Sequence, residues 1–389
     1  MSAVAGNVRL AGRSRLVLDP VVIGLTAALC LLGLVMVTSA SVTLAARDGD
    51  PFFFLERQLL FTLLGAGCAA IALRIPTDVW QRLSLVLLAV SFALLVLVLI
   101  PGIGHAVNGS RRWLRLAGLN FQASEAARVL LLLYLCSYLV RREEEVRTTI
   151  LGFLKPLAVL GAAALLLLVE PDFGSGVVLL TTGIGVLFLA GVRLRHFLAV
   201  CASAFAAFAV LAVSSPYRLR RMLTFLDPWA DPFNSGFQLT QSLIAIGRGE
   251  WFGVGLGASI QKLFYLPEAH TDFVFAVLAE ELGFIGIALV VALVVALAYR
   301  ALMIARAAAD AGLKFQSYLA AAFGIWFGLQ ACINMGVNMG LLPTKGLTLP
   351  LLSYGRSSLL VTLGWIGILL RVHHETACTR AATLRSGAR

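Results

Sequence analysis

Hydrophobic residues occur in ten long runs along the chain, and mostly short polar segments separate them. A helix needs roughly 20 mostly apolar residues to cross the hydrocarbon core of a bilayer. The pattern therefore predicts an all-α integral membrane protein with about ten transmembrane helices. The predicted spans cover residues 20–44, 58–74, 83–101, 124–140, 151–169, 175–192, 196–213, 273–298, 316–341 and 357–371.

The composition supports a membrane protein. Hydrophobic residues make up 60% of the 389 positions and charged residues 13%, whereas about 25% of the residues in a soluble domain are charged. The net charge of +11 can indicate nucleic acid, but no basic block stands apart from the hydrophobic runs. We therefore expect the basic loops to face membrane lipid, with no nucleic-acid partner. The six cysteines form no CxxC pair, so they predict no metal site.

The distribution of lysine and arginine predicts the orientation. Most of these residues lie at the N-terminus, in the C-terminal tail and in the loops on the same side, which marks the cytoplasmic side. We expect cytoplasmic tails at 1–19 and 372–389, joined by a ten-span domain at 20–371. The large outer loop, 214–272, lies between spans seven and eight. Its first part is predicted to form an interfacial amphipathic helix that carries Arg218, Arg220 and Arg221.

Asp272 lies where the outer loop enters the eighth predicted span, in what we expect to be the first helical turn. Two interpretations are open. Either Thr271 or Asp272 caps the free amides of the helix, or the helix dipole keeps the Asp272 carboxylate ionised and ready to accept a proton. His270 is either an orienting hydrogen-bond donor or an ordinary loop histidine.

Glu280 and Glu281 follow deeper in the same span, where acidic residues are costly without a partner or a cavity. They form either buried ion pairs or part of a proton and substrate pathway. On a regular helix, Glu280 lies about 80° from Asp272 and Glu281 about 180°, so Glu280 is expected to share its cavity. Asn334 and Asn338 are further intramembrane polar residues that can form hydrogen bonds across helices.

Cations on two other outer loops can contact phosphates. Arg111 and Arg112 lie beside a tryptophan, and Lys345 lies in the last outer loop. Contact with lipid headgroups is the alternative for these residues. Glu125 and Arg128 are three residues apart at the start of the fourth span and can pair on one helix face.

The outer motifs carry a resemblance to a known family. The sequences HTDFVFAVLAEELG, GLLPTKGLTLPLLSYG, NGSRRWL followed by QASE, and PDFGS resemble the SEDS family (shape, elongation, division and sporulation proteins, which include FtsW, RodA and SpoVE). The resemblance runs from the first span to the last, and PTKGLTLP is similar to the division branch. One departure is LSYGRSS, in which Arg356 takes the place of a glycine that is usual in the family.

The resemblance implies a SEDS-type fold and a peptidoglycan glycosyltransferase that polymerises lipid II into glycan strands. It places this activity on the outer face of the bacterial cytoplasmic (inner) membrane at the division septum. An FtsI-like class B penicillin-binding protein and other division proteins are the implied partners, beside lipid II and the nascent glycan chain. The family's essential aspartate falls on Asp272, its PTKG lysine on Lys345, and its Arg-Arg-Trp on Arg111, Arg112 and Trp113. The predicted substrate-binding residues are Arg111, Arg112, Lys345, His270, Lys262, Ser353, Glu125 and Arg128.

In such a reaction, a sugar hydroxyl attacks the anomeric carbon of a chain linked to a pyrophosphate. An inverting displacement needs one base, which we assign to Asp272. The anionic leaving group needs cations, which Arg112 and Lys345 can supply. No cofactor is required by the sequence, although a divalent cation, Mg²⁺ or Mn²⁺, can assist the pyrophosphate. A lipid II flippase and a non-catalytic division scaffold are the alternative functions.

Overall fold

The computed structural model of the chain describes residues 16–47, 49–107, 110–116, 119–213, 225–234, 236–263, 265–344 and 346–387. The predicted amphipathic helix with Arg218, Arg220 and Arg221 lies outside the described residues, and so does Lys345.

Each of the ten predicted spans coincides with a helix. The ten helices are α1 (Pro20–Arg47), α2 (Phe53–Arg74), α4 (Ser84–Leu99), α5 (Ala123–Arg141), α7 (Ile150–Val169), α8 (Phe173–Leu189), α9 (Leu194–Val213), α11 (Val274–Asp310), α12 (Lys314–Asn338) and α13 (Arg356–Gly387). Among the described residues, six of them are long and apolar enough to cross a membrane, namely α1, α2, α5, α7, α11 and α12. The expected helical membrane fold is confirmed. The described residues also include α3 (Thr77–Arg82), α6 (Glu143–Thr148), α10 (Phe237–Gly249) and a short 3-10 helix at Pro228–Ala230.

Helices α5 and α12 lie at the centre of the bundle, since most of their side chains are buried inside the protein. An aromatic cluster joins α12 to α13. The rings of Trp326 and Trp365 stack with centroids 4.9 Å apart, and Phe323 packs edge-on against Trp365 at 5.6 Å. Helix α2, by contrast, leaves most of its apolar side chains exposed, as expected for a surface that faces lipid.

A small antiparallel sheet, which the sequence pattern does not predict, covers one end of the bundle. It consists of β1 (Gly104–Val107), β2 (Ser110–Leu116) and β3 (Leu119–Gln122) in the order β1-β2-β3. Leu114 packs with Val98 and Ala123 in a small apolar cluster that seats the sheet on the helices. The described part of the outer loop that carries Arg111 and Arg112 is therefore packed against the helices.

Helix α11 is interrupted at Gly283, whose φ of 63° and ψ of −161° are not helical. The outer loop fills the gap, because Val254 N–H donates to the Glu280 carbonyl (2.9 Å) and Phe284 N–H donates to the Glu250 carbonyl (2.8 Å). Backbone groups freed by the break are thereby paired, as the interior of a membrane protein requires. The first section of α11, which follows Asp272, is thus bonded to the loop that precedes it.

The opposite end of the bundle joins segments that are predicted to be cytoplasmic. Lys314 pairs with Glu143, and Arg300 pairs with Asp19 at 2.8 Å. Helix α13 continues through the predicted C-terminal tail, and the buried Glu375 accepts hydrogen bonds there from Thr77 and Arg371. The predicted boundary at residue 371 is therefore not a helix end.

Candidate active site

Asp272 precedes α11 and is not part of its first turn. The helix begins at Val274 after Phe273, which gives no side-chain cap. The Asp272 side chain is half-buried, and among the described residues no group donates a hydrogen bond to its carboxylate. The interpretation of Asp272 as the helix cap is therefore wrong, and none of the described residues occupies its carboxylate.

The environment of Asp272 raises the pKa of its carboxyl toward neutral pH. The pKa of this carboxyl is raised to about 7, because burial and the charge of Glu268 raise it by more than the charge of Arg112 lowers it. The expected effect of the helix dipole on ionisation is outweighed by desolvation, so the carboxyl is only partly ionised near neutral pH. A pKa near the working pH suits a general base, since such a group both accepts and releases a proton readily.

Two asparagines from α12 hold the backbone of Asp272. Asn334 Nδ2 donates to the Asp272 carbonyl (2.9 Å) and to the Leu347 carbonyl (2.6 Å). Asn338 Nδ2 donates to the Asp272 carbonyl as well (3.0 Å). The predicted hydrogen bonding across helices is therefore present. These hydrogen bonds join Asp272 to the last outer loop. The two segments lie close together, since a Cβ added to Gly346 would be 3.3 Å from Asp272 Oδ2.

Arg112 reaches the site through an irregularity in the sheet. His105 of β1 pairs with Trp113 and Ala106 pairs with Arg111, so Arg112 is an extra residue in β2 without a partner in β1. A β-bulge of this kind can redirect a side chain. The Arg112 guanidinium donates to the carbonyls of Glu170 and Pro171, and its charge acts on Asp272. Arg111 is exposed.

Two acidic residues near the site are not predicted from the sequence. Glu268 is exposed four positions before Asp272. Glu170, between α7 and α8, is fully buried, and neither of its carboxylate oxygens has a hydrogen-bond partner among the described residues. Burial and the charge of Asp172 raise the pKa of Glu170 to about 8. Asp172 itself caps α8 through a hydrogen bond from Ser175 N–H.

His270 packs between two aromatic rings. The ring centroid of Phe54 is 4.7 Å from that of His270, and the centroid of Tyr354 is 5.6 Å away. Burial lowers the pKa of His270, so its ring is neutral near pH 7. The Tyr354 N–H donates to the His270 carbonyl (2.9 Å), which fastens the last outer loop to the segment that carries Asp272.

Glu280 and Glu281 are buried and form ion pairs with the outer loop, Glu281 with the buried Lys262 and Glu280 with the exposed Arg248. Glu280 accepts from Arg248 at 2.9 Å, from Ser259 and from the Gln261 amide. The angle that favoured a cavity shared by Glu280 and Asp272 does not apply, because Asp272 lies before the helix, and the shared cavity stays a prediction. The ion-pair interpretation of the two glutamates is the correct one.

Comparison with known proteins adds to this geometry. The model of the family that contains FtsW, RodA and SpoVE, described as "Cell cycle protein", matches residues 20–378. The chain belongs to this family.

Two relatives from other bacteria match most of the chain, and both are named "Probable peptidoglycan glycosyltransferase FtsW". The protein from Thioalkalivibrio sulfidiphilus is 57% identical over 371 residues, which cover 95% of this chain and 92% of the relative. The protein from Nitrosococcus halophilus is 57% identical over 365 residues, 94% of each chain. The expected family is therefore confirmed at high identity over nearly the whole length.

Solved structures of related proteins have a similar fold. A chain from the structure described as "Structural coordination of polymerization and crosslinking by a peptidoglycan synthase complex" is 32% identical, with a TM-score of 0.76 over 93% of this chain and 99% of that one. Rod shape determining protein RodA from Thermus thermophilus is 29% identical, with a TM-score of 0.68 over 92% of this chain and 97% of that one. The SEDS-type fold is thereby confirmed.

Two of the predicted substrate-binding residues, Lys262 and Ser353, contact other groups of the protein. Lys262 is buried, 2.7 Å from Glu281 and 2.9 Å from Ser39. Ser353 Oγ accepts from the Leu349 amide (2.9 Å). These contacts give both side chains structural partners, and their substrate contacts stay predictions.

Glu125 and Arg128 form the predicted ion pair, buried within the bundle. Arg128 also donates to Gln330 (3.1 Å), which in turn donates to the Thr348 carbonyl (3.2 Å). This chain of contacts links the pair to the last outer loop, and substrate contacts of Glu125 and Arg128 stay predictions. Arg356, the departure from the family pattern, begins α13 with its guanidinium 6.0 Å from the Phe61 ring.

Proposed function

We propose that this protein polymerises lipid II into peptidoglycan glycan strands, with Asp272 as the general base of an inverting transfer. Family membership and the name shared by its relatives support the enzyme class. The observation that carries the residue assignment is the state of Asp272. It is half-buried, free of hydrogen bonds from the described residues, and has a pKa of about 7.

Asp272 accepts the proton of the attacking sugar hydroxyl as the new glycosidic bond forms at the anomeric carbon. The bond to the pyrophosphate oxygen breaks in the same displacement, and the leaving group departs as an anion. A base with a pKa near 7 is effective because a large fraction of it is ionised at neutral pH while it retains affinity for the proton.

The pyrophosphate needs positive charge, and Arg112 is the described cation that acts on Asp272. Two backbone carbonyls hold its guanidinium in place, so it offers a fixed positive charge to the leaving group. Arg111 and Lys345 are proposed to contribute further contacts from neighbouring segments.

A divalent cation, Mg²⁺ or Mn²⁺, fits this arrangement. Mg²⁺ in proteins is often held by one or two carboxylates together with substrate phosphates. The described residues contain no group of three or more metal-ligating side chains, so the substrate phosphates themselves would be the main ligands of such an ion, and Asp272 stays free to act as the base. The ion would neutralise charge on the leaving group.

The chain is a multi-pass membrane protein, and we place its activity on the outer face of the bacterial cytoplasmic membrane at the division septum. An FtsI-like class B penicillin-binding protein is the proposed partner. The likeness to a chain from a peptidoglycan synthase complex supports a partner that crosslinks the strands. The flippase alternative loses its main support, because Glu280 and Glu281 are paired with Arg248 and Lys262.

Purified protein with its penicillin-binding partner is tested on lipid II in detergent, where no membrane separates two sides. Glycan strands are expected from the wild type and from Asp227→Asn, which removes an exposed carboxylate from the same outer loop. Strands are expected to vanish with Asp272→Ala. A flippase or a scaffold would yield no strands with any of the three proteins.

A further inference from the structure

We propose that Asn338 and Asn334 are positioning residues that hold the Asp272 backbone so that its carboxylate stays clear of the first turn of α11. This inference rests on the proposed role of Asp272 as general base. It assigns a function to two amides that lie on a different helix from the carboxylate.

The contacts are specific. Both Nδ2 atoms donate to one acceptor, the Asp272 carbonyl, at 2.9 Å from Asn334 and 3.0 Å from Asn338. Asn338 Oδ1 also accepts from the Ala276 N–H (3.2 Å). The same N–H donates to the Phe273 carbonyl as well (3.0 Å). Asn338 therefore bonds both Asp272, which precedes α11, and an N–H of the helix's first turn. A capping residue normally makes such bonds from the same chain segment.

Asn334 and Asn338 are themselves well fixed. Both are almost completely buried, with 2% and 0% of their surfaces exposed. Asn338 Nδ2 also donates to the Asn334 carbonyl (2.9 Å), and its own carbonyl accepts from Ser242 of α10 (2.8 Å). These bonds fix Asn338, whereas the Asn334 amide is oriented only through its Nδ2 atom, since its Oδ1 has no partner among the described residues.

A free carboxylate directly before a helix is attracted to a second position, in which it bonds the first-turn amides. The first-turn amides of a helix lack partners within it, and they attract carboxylates that precede them. An Asp272 side chain folded onto those amides would be stabilised in its ionised form, so its pKa would fall and it would be a weaker base. It would also point away from the substrate hydroxyl. Fixing the Asp272 carbonyl opposes that rearrangement.

The charges around Asp272 make this inference testable. Glu268 acts on it from the preceding loop and Arg112 from β2. Helix α12 contributes the neutral amides, and the last outer loop contributes Gly346, while Lys345 lies outside the described residues. Replacing an asparagine by alanine therefore removes no charge. A change in the titration of Asp272 would report a change in its position.

The experiment uses the full-length protein in detergent. A hydrophobic carbodiimide modifies protonated carboxyl groups, and mass spectrometry of the peptide that contains Asp272 gives its labelled fraction at each pH. The variants are Asn338→Ala, Asn334→Ala and the double variant. The matched control is Gln316→Ala, which removes a buried amide from the other end of α12, where it donates to Thr77 (2.9 Å).

The wild type and Gln316→Ala are expected to show a labelling midpoint at about pH 7. The double variant is expected to show a midpoint at least about one unit lower, nearer the ordinary value for aspartate. Each single variant retains one donor and should fold and shift less. In polymerisation assays, the double variant should lose roughly tenfold or more in kcat with little change in KM for lipid II.

Unchanged midpoints in all asparagine variants would overturn the inference, even if their activity fell, because a purely structural role predicts that result. Failure of the proposed function looks different. In that case Asp272→Ala would polymerise lipid II like the wild type, whereas the labelling midpoints would still report whether the asparagines position the carboxylate.

Discussion

The Nζ atom of Lys262 lies 2.7 Å from Oε1 of Glu281, and the two side chains are only 3% and 0% exposed. Lys262 belongs to the outer loop that precedes Asp272, and Glu281 belongs to the helix that follows it. The pair therefore fastens the loop to the first section of α11. Together with the contacts at Asn334 and Asn338, it fixes the segment that carries Asp272 at both ends.

Lys262→Met should destabilise the protein by about 3–5 kcal/mol, because it leaves the buried Glu281 charge without an ion-pair partner, with the Ser39 hydroxyl still donating to it. Chemical unfolding in detergent measures the change. The double variant Lys262→Met/Glu281→Leu should recover most of the loss. The exposed pair of Arg82 and Asp78 provides the control, since Arg82→Met should cost less than about 1 kcal/mol. Equal losses for Lys262→Met and Arg82→Met would contradict the assignment of a buried clamp.

Gly283→Ala should separate the outer loop from the break in α11. The φ of Gly283 is +63°, and an added Cβ would lie 2.3 Å from the Gly253 nitrogen, so the loop or the helix must move. We expect a loss of at least about 1–3 kcal/mol in the free energy of unfolding and faster proteolysis of the outer loop. Gly67→Ala is the control, because a Cβ there meets open space. A fully stable Gly283→Ala variant would show that the loop is not bound at the break.

The sequence predicts the ten helices well because each one is a long apolar run, and burial in lipid requires such a run. It does not predict the sheet at Gly104–Gln122, where the strands are short and Arg112 forms a bulge. Arg112 was nevertheless expected at the site, and the bulge shows how its side chain is redirected there.

The site itself is only partly predictable. Asp272 stands out by its position in the sequence. Its pKa, however, is raised by desolvation from segments that are distant in the chain, whereas the helix dipole alone would favour the ionised form. The angle between Asp272 and Glu280 holds only on a regular helix that contains both residues, and α11 begins after Asp272. The partners of Lys262 and Asn338 come from other helices, and spacing along the chain does not reveal them.

Polymerisation should depend on pH with a midpoint near 7. The pKa of Asp272 is raised to about 7, so the carboxyl is protonated below that value and cannot accept a proton from the hydroxyl. The rate is therefore expected to rise with pH through about 7 and to level off above it. Initial rates of lipid II polymerisation between pH 5 and 9 measure this. A rate that is already constant between pH 5 and 7 would contradict a base with this pKa.

Two substitutions should move the midpoint in opposite directions. Arg112→Ala removes a positive charge that lowers the pKa of Asp272, so the midpoint should rise. Glu268→Gln removes a negative charge that raises this pKa, so the midpoint should fall. Arg115→Ala, at an exposed position of the same strand as Arg112, should leave the midpoint unchanged. Shifts in the same direction for Arg112→Ala and Glu268→Gln would contradict this electrostatic account.

The central claim is that the Asp272 carboxylate accepts a proton during polymerisation. Asp272→Asn tests it most directly, because the amide keeps the shape of the side chain but cannot act as a base. The initial rate of lipid II polymerisation in detergent, with the penicillin-binding partner present at pH 8, should fall by about 10²–10⁴-fold. A rate within a few-fold of the wild type would contradict the assignment of Asp272 as the general base.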